Sequence, residues 1–208
     1  MHTQRAATAA CFLLLLGATG SISGNAVVAA FDARNAALPN YTFHADVAMA
    51  MHHFPWLHFH MSGDGIYAKG DKYSIHFTQM PFFASKIHDI DLSLIDPVLW
   101  PKNFLFTEAG MQGDDAIFDL QALHDPTLVH AQVAITAGGA DWVDSTYTDG
   151  THIHMAVTHA ATNGFMLPSK IDASIDYPHM PLSAKADLNN YQFAGLGETE
   201  TTLAAPPL

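Results

Sequence analysis

The chain has 208 residues, with 20 acidic side chains against 8 basic ones, 14 histidines and one cysteine. Its length suits one domain, and a composition that is 49% hydrophobic and 11% aromatic supplies a core and excludes wholesale disorder. The formal charge of -12 excludes a nucleic-acid binder, which must neutralise a row of phosphates, and excludes docking on anionic head groups by charge alone.

The N-terminus reads as an export signal. Arg5 supplies the positive end, Ala9 to Gly17 supplies a short apolar run, and small residues come after it, with cleavage expected after Ser23 or after Ala30. The run is shorter than the roughly 20 residues a bilayer span needs. Cys11 precedes the leucines rather than following them, so it reads as an apolar residue of the signal and not as a lipid acceptor. The expected domains are therefore a signal over 1–30, one domain over 31–196 and a flexible tail over 197–208. The mature chain carries no cysteine, hence no disulfide, thiol nucleophile or thiolate ligand.

Alternation with a period of two dominates the chain beyond the signal. Tyr41 to Met51 places Tyr41, Phe43, Ala45, Val47, Met49 and Met51 on one face. Leu57, Phe59 and Met61 alternate with Trp56, His58 and His60, and Gly63-Asp64-Gly65 reads as a turn before a strand from Ile66. Lys69 to Lys72 turns the chain again, and Tyr73, Ile75 and Phe77 share the next apolar face.

From Met80 to Asn103 the alternation lapses. Phe82, Phe83, Ile87, Ile90, Leu94, Ile95 and Leu99 fit short helix and turns, bounded by Asp96-Pro97 and Trp100-Pro101. This insertion is expected to cover the sheet. Strands resume over Phe104 to Ala109, Ala116 to Leu123 and Thr127 to Ala137, the last with Val129, Ala131, Val133 and Ile135 on one face. Asp141 to Thr148, Thr151 to His159, Lys170 to Tyr177 and Leu182 to Phe193 complete the series, with Asp149-Gly150 and Asn163-Gly164 as turn signals. About ten hairpin-connected strands must curl, split or close. The expected fold is mainly β: a strongly curled antiparallel sheet, a half-open β-barrel, with a short helical cover.

Catalytic patterns are scarce. There is no Gly-x-Ser-x-Gly elbow, P-loop or dinucleotide fingerprint, and the acid pairs Asp89/Asp91 and Asp114-Asp115 fall at turns, where Asp bonds its own backbone. The chain reads as a non-enzyme without a cofactor. The His-x-His pairs His58/His60 and His152/His154 each share a strand face and would bind zinc or copper if the pairs met; otherwise they serve as uncharged polar side chains. Thirteen histidines after the signal also suit a surface whose charge responds to mild acid. The other compositional signal is apolar. Eight mature methionines and many phenylalanines suit a cavity for acyl chains, because Met adapts to irregular partners.

The run from Tyr41-Met51 through Phe54-Pro55, Gly65-Ile66-Tyr67-Ala68-Lys69-Gly70-Asp71-Lys72-Tyr73 and Asp96-Pro97-x-x-Trp100-Pro101 resembles the bacterial periplasmic lipoprotein-carrier (LolA/LolB-like) superfamily. The resemblance covers roughly Tyr41 to Leu123 by motif and the rest by strand pattern. It implies a half-barrel whose apolar concave face is closed by helices and holds lipid or lipoprotein acyl chains, in a periplasmic or secreted protein. An envelope lipoprotein or a membrane would be its partner. Ligand-lining candidates are then Met49, Met51, Phe59, Tyr73, Phe77, Phe82, Phe83, Trp100 and Phe104. In this superfamily a clear helix opens the mature domain, whereas Phe31 to Pro39 leaves room for about two turns. The concave arginine of the carriers has no counterpart, since the one mature arginine, Arg34, precedes the first strand. A His-based metal binder and a ligand-free β-domain that docks partners at a sheet edge are the alternatives.

Overall fold

The computed structural model describes residues 24–81, 89–177 and 180–194. Eleven strands form one antiparallel sheet: β1 (Tyr41–Met51), β2 (Phe54–Ala68), β3 (Lys72–Gln79), β4 (Asp89–Asp91), β5 (Phe104–Gln112), β6 (Asp115–Ala122), β7 (Leu128–Thr136), β8 (Gly139–Tyr147), β9 (His152–Thr162), β10 (Phe165–Tyr177) and β11 (Met180–Phe193). Their spatial order is β4-β3-β2-β1-β11-β10-β9-β8-β7-β6-β5. The chain steps outward from β1 to one edge at β4 and crosses to the opposite edge at β5. It then returns strand by strand until β11 lies beside β1. Only residues 92–103 join the two edges, so the sheet curls far enough for a compact dozen residues to span from one to the other. The sheet is not closed.

That crossing is the cover. It consists of two 3-10 turns, Ser93–Ile95 and Pro97–Leu99, and a single helical turn, Trp100–Asn103. Short polar side chains shape it. Asp91 Oδ1 accepts from the Ser93 N–H at 2.8 Å, and Asp96 Oδ1 caps the second turn from the Val98 N–H at 3.1 Å. The Leu92 N–H donates to the Tyr73 carbonyl at 2.8 Å, tying the cover to β3. Trp100 is fully buried, donates from Nε1 to the Leu94 carbonyl at 3.1 Å, and meets Phe118 and Phe106 at ring distances of 5.3 and 5.5 Å. Within the described residues the expected helical insertion over 80–103 holds two 3-10 turns, one helical turn and the short edge strand β4. Phe82, Phe83 and Ile87 lie outside the described residues.

A second element shares the covering role. Helix α1 (Gly24–Asn35) lies against β5, β6 and β7 with Val27 and Phe31 buried. The short helix expected over Phe31 to Pro39 is therefore three turns long, and seven of its residues fall in the segment read as signal. A run of small apolar residues looks alike in a cleavage region and in a helix that buries only one side.

Two further expectations fail for tertiary reasons. Gly63-Asp64-Gly65 is not a turn: β2 runs unbroken through it. A Cβ on Gly65 would lie 1.9 Å from the Phe43 ring, and one on Gly63 would lie 2.2 Å from the His76 carbonyl oxygen. Glycine stands there because neighbours occupy the space, not because the backbone bends. On β7 the register shifts between Leu128 and His130, so Leu128 takes the buried place and Val129 turns outward. Asn163-Gly164 does form its hairpin, with both residues at positive φ (48° and 85°).

Candidate functional site

The inner face of the sheet is a set of cross-strand rows. One row runs Phe118–Val133–Val143–Met155–Ala173–Ala184–Met49–Phe59 from β6 round to β2. A parallel row runs Leu120–Ala131–Ser145–Ile153–Ile175–Leu182–Met51–Phe54. In both rows the members on β6, β7 and β8 are sealed, and those from β9 to β2 are half-buried, except Phe54, which is exposed.

Burial also changes along the strands. On β1 the inward residues Tyr41, Phe43, Ala45 and Val47 are buried, then Met49 and Met51 are half-buried. On β10 the sequence is Leu167 and Ile171 buried, Ala173 and Ile175 half-buried, Tyr177 exposed. β2 repeats the trend, and on β9 Ile153 and Met155 are half-buried ahead of the buried Val157. The inner face is therefore a trough along β1, about 34 Å long at the rise of an extended strand. It is sealed near Tyr41 and apolar but only partly covered near Met51.

The sealed end is aromatic. Tyr41 stacks on Tyr67 at 4.7 Å, Tyr67 meets Tyr73 at 5.4 Å, and Phe43 stacks on Tyr191 at 5.5 Å. The Tyr191 hydroxyl donates to the Pro168 carbonyl. Burial raises the hydroxyl pKa of all four tyrosines, so they stay neutral. Asp96 and Asn35, the last residue of α1, sit here, buried to 4% and 5% exposure. Among the described residues Asp96 Oδ2 and Asn35 Oδ1 have no hydrogen-bond partner. Burial pushes Asp96 up to about 6, against the opposing pull of the Val98 N–H and the Tyr67 hydroxyl. His159 is held below its ordinary value, first by burial and then by the Arg34 charge.

Of the residues expected to line a ligand, Met49, Met51 and Phe59 stand together on the open half of the trough. Tyr73, Phe77, Trp100 and Phe104 are buried in the core under the cover. Phe82 and Phe83 are outside the described residues. Leu57, Ile153, Met155, Ala173, Ile175, Leu182 and Ala184 also line the open half. Their signal is present in the alternation; the β1–β2 hairpin brings Leu57 beside Met49 and Met51, and only the pairing of β1 with β11 brings the others there. Arg34 does not reach the open half: it donates to the Ala137 carbonyl at 3.3 Å.

The histidine pairs stand on the outer face and do not meet. His58 pairs with Ala50, and the row passes through Ser183 and Ser174 before it reaches His154. Four strand spacings, about 19 Å, separate them. Among the described residues no three His, Cys, Asp or Glu side chains are grouped as metal ligands. Several outer-face histidines lie beside aspartates instead: His44 with Asp64 at 3.0 Å, His76 with Asp89 at 3.0 Å, His154 with Asp144 at 3.1 Å. These pairs form the polar surface that Lys and Arg supply in most proteins.

No protein-family model matches the chain, and no curated protein matches it. Solved structures do. A LolA superfamily protein from Nitrosomonas europaea aligns with a TM-score of 0.58 and 9% identity, over 85% of this chain and 96% of the other. A putative outer membrane lipoprotein-sorting protein domain from Vibrio parahaemolyticus gives 0.55 and 8%, over 85% and 96%. A DUF1329 family protein from Desulfovibrio piger gives 0.56 and 9%, over 85% and 93%. The chain has a LolA-like fold, an open antiparallel half-barrel.

Proposed function

We propose that the protein is a non-enzymatic binding or carrier protein of the bacterial periplasm, and that it holds a lipid or the acyl chains of a lipoprotein in the open half of its trough. The observation that carries this reading is the lengthwise change in burial on the inner face. A β-core that only stabilised itself would seal its methionines and isoleucines, whereas Met49, Met51, Ile153, Met155 and Ile175 remain half-buried. Burial of an acyl chain against them is worth about 0.8 kcal/mol per methylene. Methionine, unbranched and polarizable, accommodates chains of different shape. The LolA superfamily and lipoprotein-sorting descriptions of the structural neighbours agree with this class of ligand.

Export belongs to the same proposal. Cleavage after Ser23 would leave α1 whole, and cleavage after Ala30 would remove Val27 from the core. Ser23 is therefore the expected site, and N-terminal sequencing of the mature protein checks it.

The test of the ligand is native mass spectrometry of protein purified from its host envelope, followed by uptake of a fluorescent fatty acid. A lipid or acyl species near one per chain is expected. Met49→Asp with Met155→Asp should lower uptake at least about tenfold, since each puts a charge where apolar burial drives binding. A clean apo mass with no uptake by the unmodified protein would overturn the reading.

A further inference from the structure

The open end of the trough is built from two neighbouring hairpins, β1–β2 and β10–β11, joined where the His52 N–H donates to the Pro181 carbonyl at 3.0 Å. Their tips carry large apolar side chains in solvent. Trp56 is 75% exposed, and Phe54, Tyr177 and Met180 are exposed with it. Phe54 and Trp56 meet edge to face at 6.0 Å, so the two rings form one projection. Exposed apolar residues scattered singly carry no message, but a cluster at one end of a molecule does.

The charge pattern says what the cluster fits. Twenty acidic residues are spread along the chain, yet residues 47–63 contain no Asp, Glu, Lys or Arg, and neither do residues 177–184. The two hairpin turns that expose the aromatics are thus free of formal charge, although Asp176 borders one of them and Asp149 lies in the β8–β9 turn at the same end. Tryptophan and tyrosine favour the boundary between head groups and acyl chains, where one side of the ring is apolar and the other wet. Behind Phe54 an apolar row leads inward without a polar break, through Met51 and Leu182 to Ile175.

We propose that this two-hairpin tip is a docking surface for a phospholipid bilayer, seating the mouth of the trough in the interfacial layer. Its use for acyl-chain exchange rests on the carrier reading; the docking itself does not. The tip contributes apolar area and no attraction by charge, so association is weak, reversible and little affected by salt.

The test uses the mature chain and vesicles of phosphatidylethanolamine with a minority of phosphatidylglycerol, some made with brominated acyl chains. The protein should float with the vesicles at low and at high salt, and bromine should quench its tryptophan emission. Trp56→Ser, on the outer side of β2, should lower vesicle partitioning about tenfold, with fluorescent fatty-acid uptake unchanged. Trp56→Tyr should retain most of it. The surface is overturned by any of three results: an unmodified protein that neither floats nor is quenched, a folded Trp56→Ser variant that floats as well as the unmodified chain, or a folded Trp56→Ser variant that loses partitioning and uptake together. Binding of a soluble protein at the tip, with no vesicle association, would also overturn it. Vesicle docking without fatty-acid uptake would uphold the surface and remove the carrier reading.

Discussion

The two ends of the trough are made from the same strands in opposite ways. Near Tyr41 the inner face is closed by rigid rings, by α1 and by two 3-10 turns whose backbone groups are capped by aspartates. Near Met51 it is made of methionine, isoleucine, leucine and alanine, half-buried, and it ends in exposed aromatics. The contrast teaches that core and site are here consecutive stretches of each strand rather than separate layers. Stability is concentrated at one end, which leaves the other end free to exchange what it touches.

Substitutions should separate the two ends in stability and in binding. The largest effect is expected at the sealed end. Gly65→Val would drive a branched side chain into the Phe43 ring, where even a Cβ lies 1.9 Å away. It should cost about 3 kcal/mol or more and lower the urea midpoint sharply. Trp100→Ala should cost about 3–5 kcal/mol through the cavity it leaves under the cover. If either variant unfolds at the midpoint of the unmodified protein, the sealed end is not the source of stability.

Asp96 gives an effect of opposite sign. Its carboxyl is raised from 3.8 to about 6 by burial, so the folded state binds a proton more tightly than the unfolded one. This stabilises the fold fully below pH 4 and fades as pH rises toward 6, leaving a buried carboxylate at pH 7 that costs on the order of 2–3 kcal/mol. Asp96→Asn keeps an acceptor for the Val98 N–H and removes the charge. It should raise thermal stability at pH 7 and leave it nearly unchanged at pH 4, measured by calorimetry across that range.

The smallest expected effect lies on the outer face. The hydrogen bond to Asp64, ahead of the Asp46 charge, raises the His44 pKa. The raised value favours the fold below about pH 6.5, and that gain is lost as pH rises through the folded pKa. Because the pair is exposed and screened, His44→Gln should cost at most about 0.5 kcal/mol at pH 5.5 and nothing measurable at pH 8.

Strand positions are legible in the sequence because alternation survives wherever one face is buried, as in Tyr41–Met51 and Lys170–Tyr177. The glycines of β2 mislead because Gly-Asp-Gly has the same local signal whether the backbone turns or a ring from another strand lies overhead. Val129 misleads because a bulge shifts the alternation without a mark in residue type. Helix α1 is hidden by a composition it shares with a signal peptide. The axial change in burial leaves no trace at all, since Val47 and Met51 occupy equivalent places in the same alternating pattern. Only the cover distinguishes them, and its seat on β3 and β8 is set by contacts far apart in sequence.

The topology also decides how the molecule yields to force. The β1–β11 ladder starts where Tyr41 faces Phe193, and the Ala194 N–H donates to the Asn40 carbonyl just beyond it. A load applied across residues 40 and 194 would peel this seam rung by rung, as a zipper opens, instead of shearing all its hydrogen bonds together. The rupture line separates β1–β4 from β5–β11, each contiguous in the chain and each hairpin-linked within itself. Under that load the half-barrel opens as a book of two covers, with the β1–β11 seam as its spine.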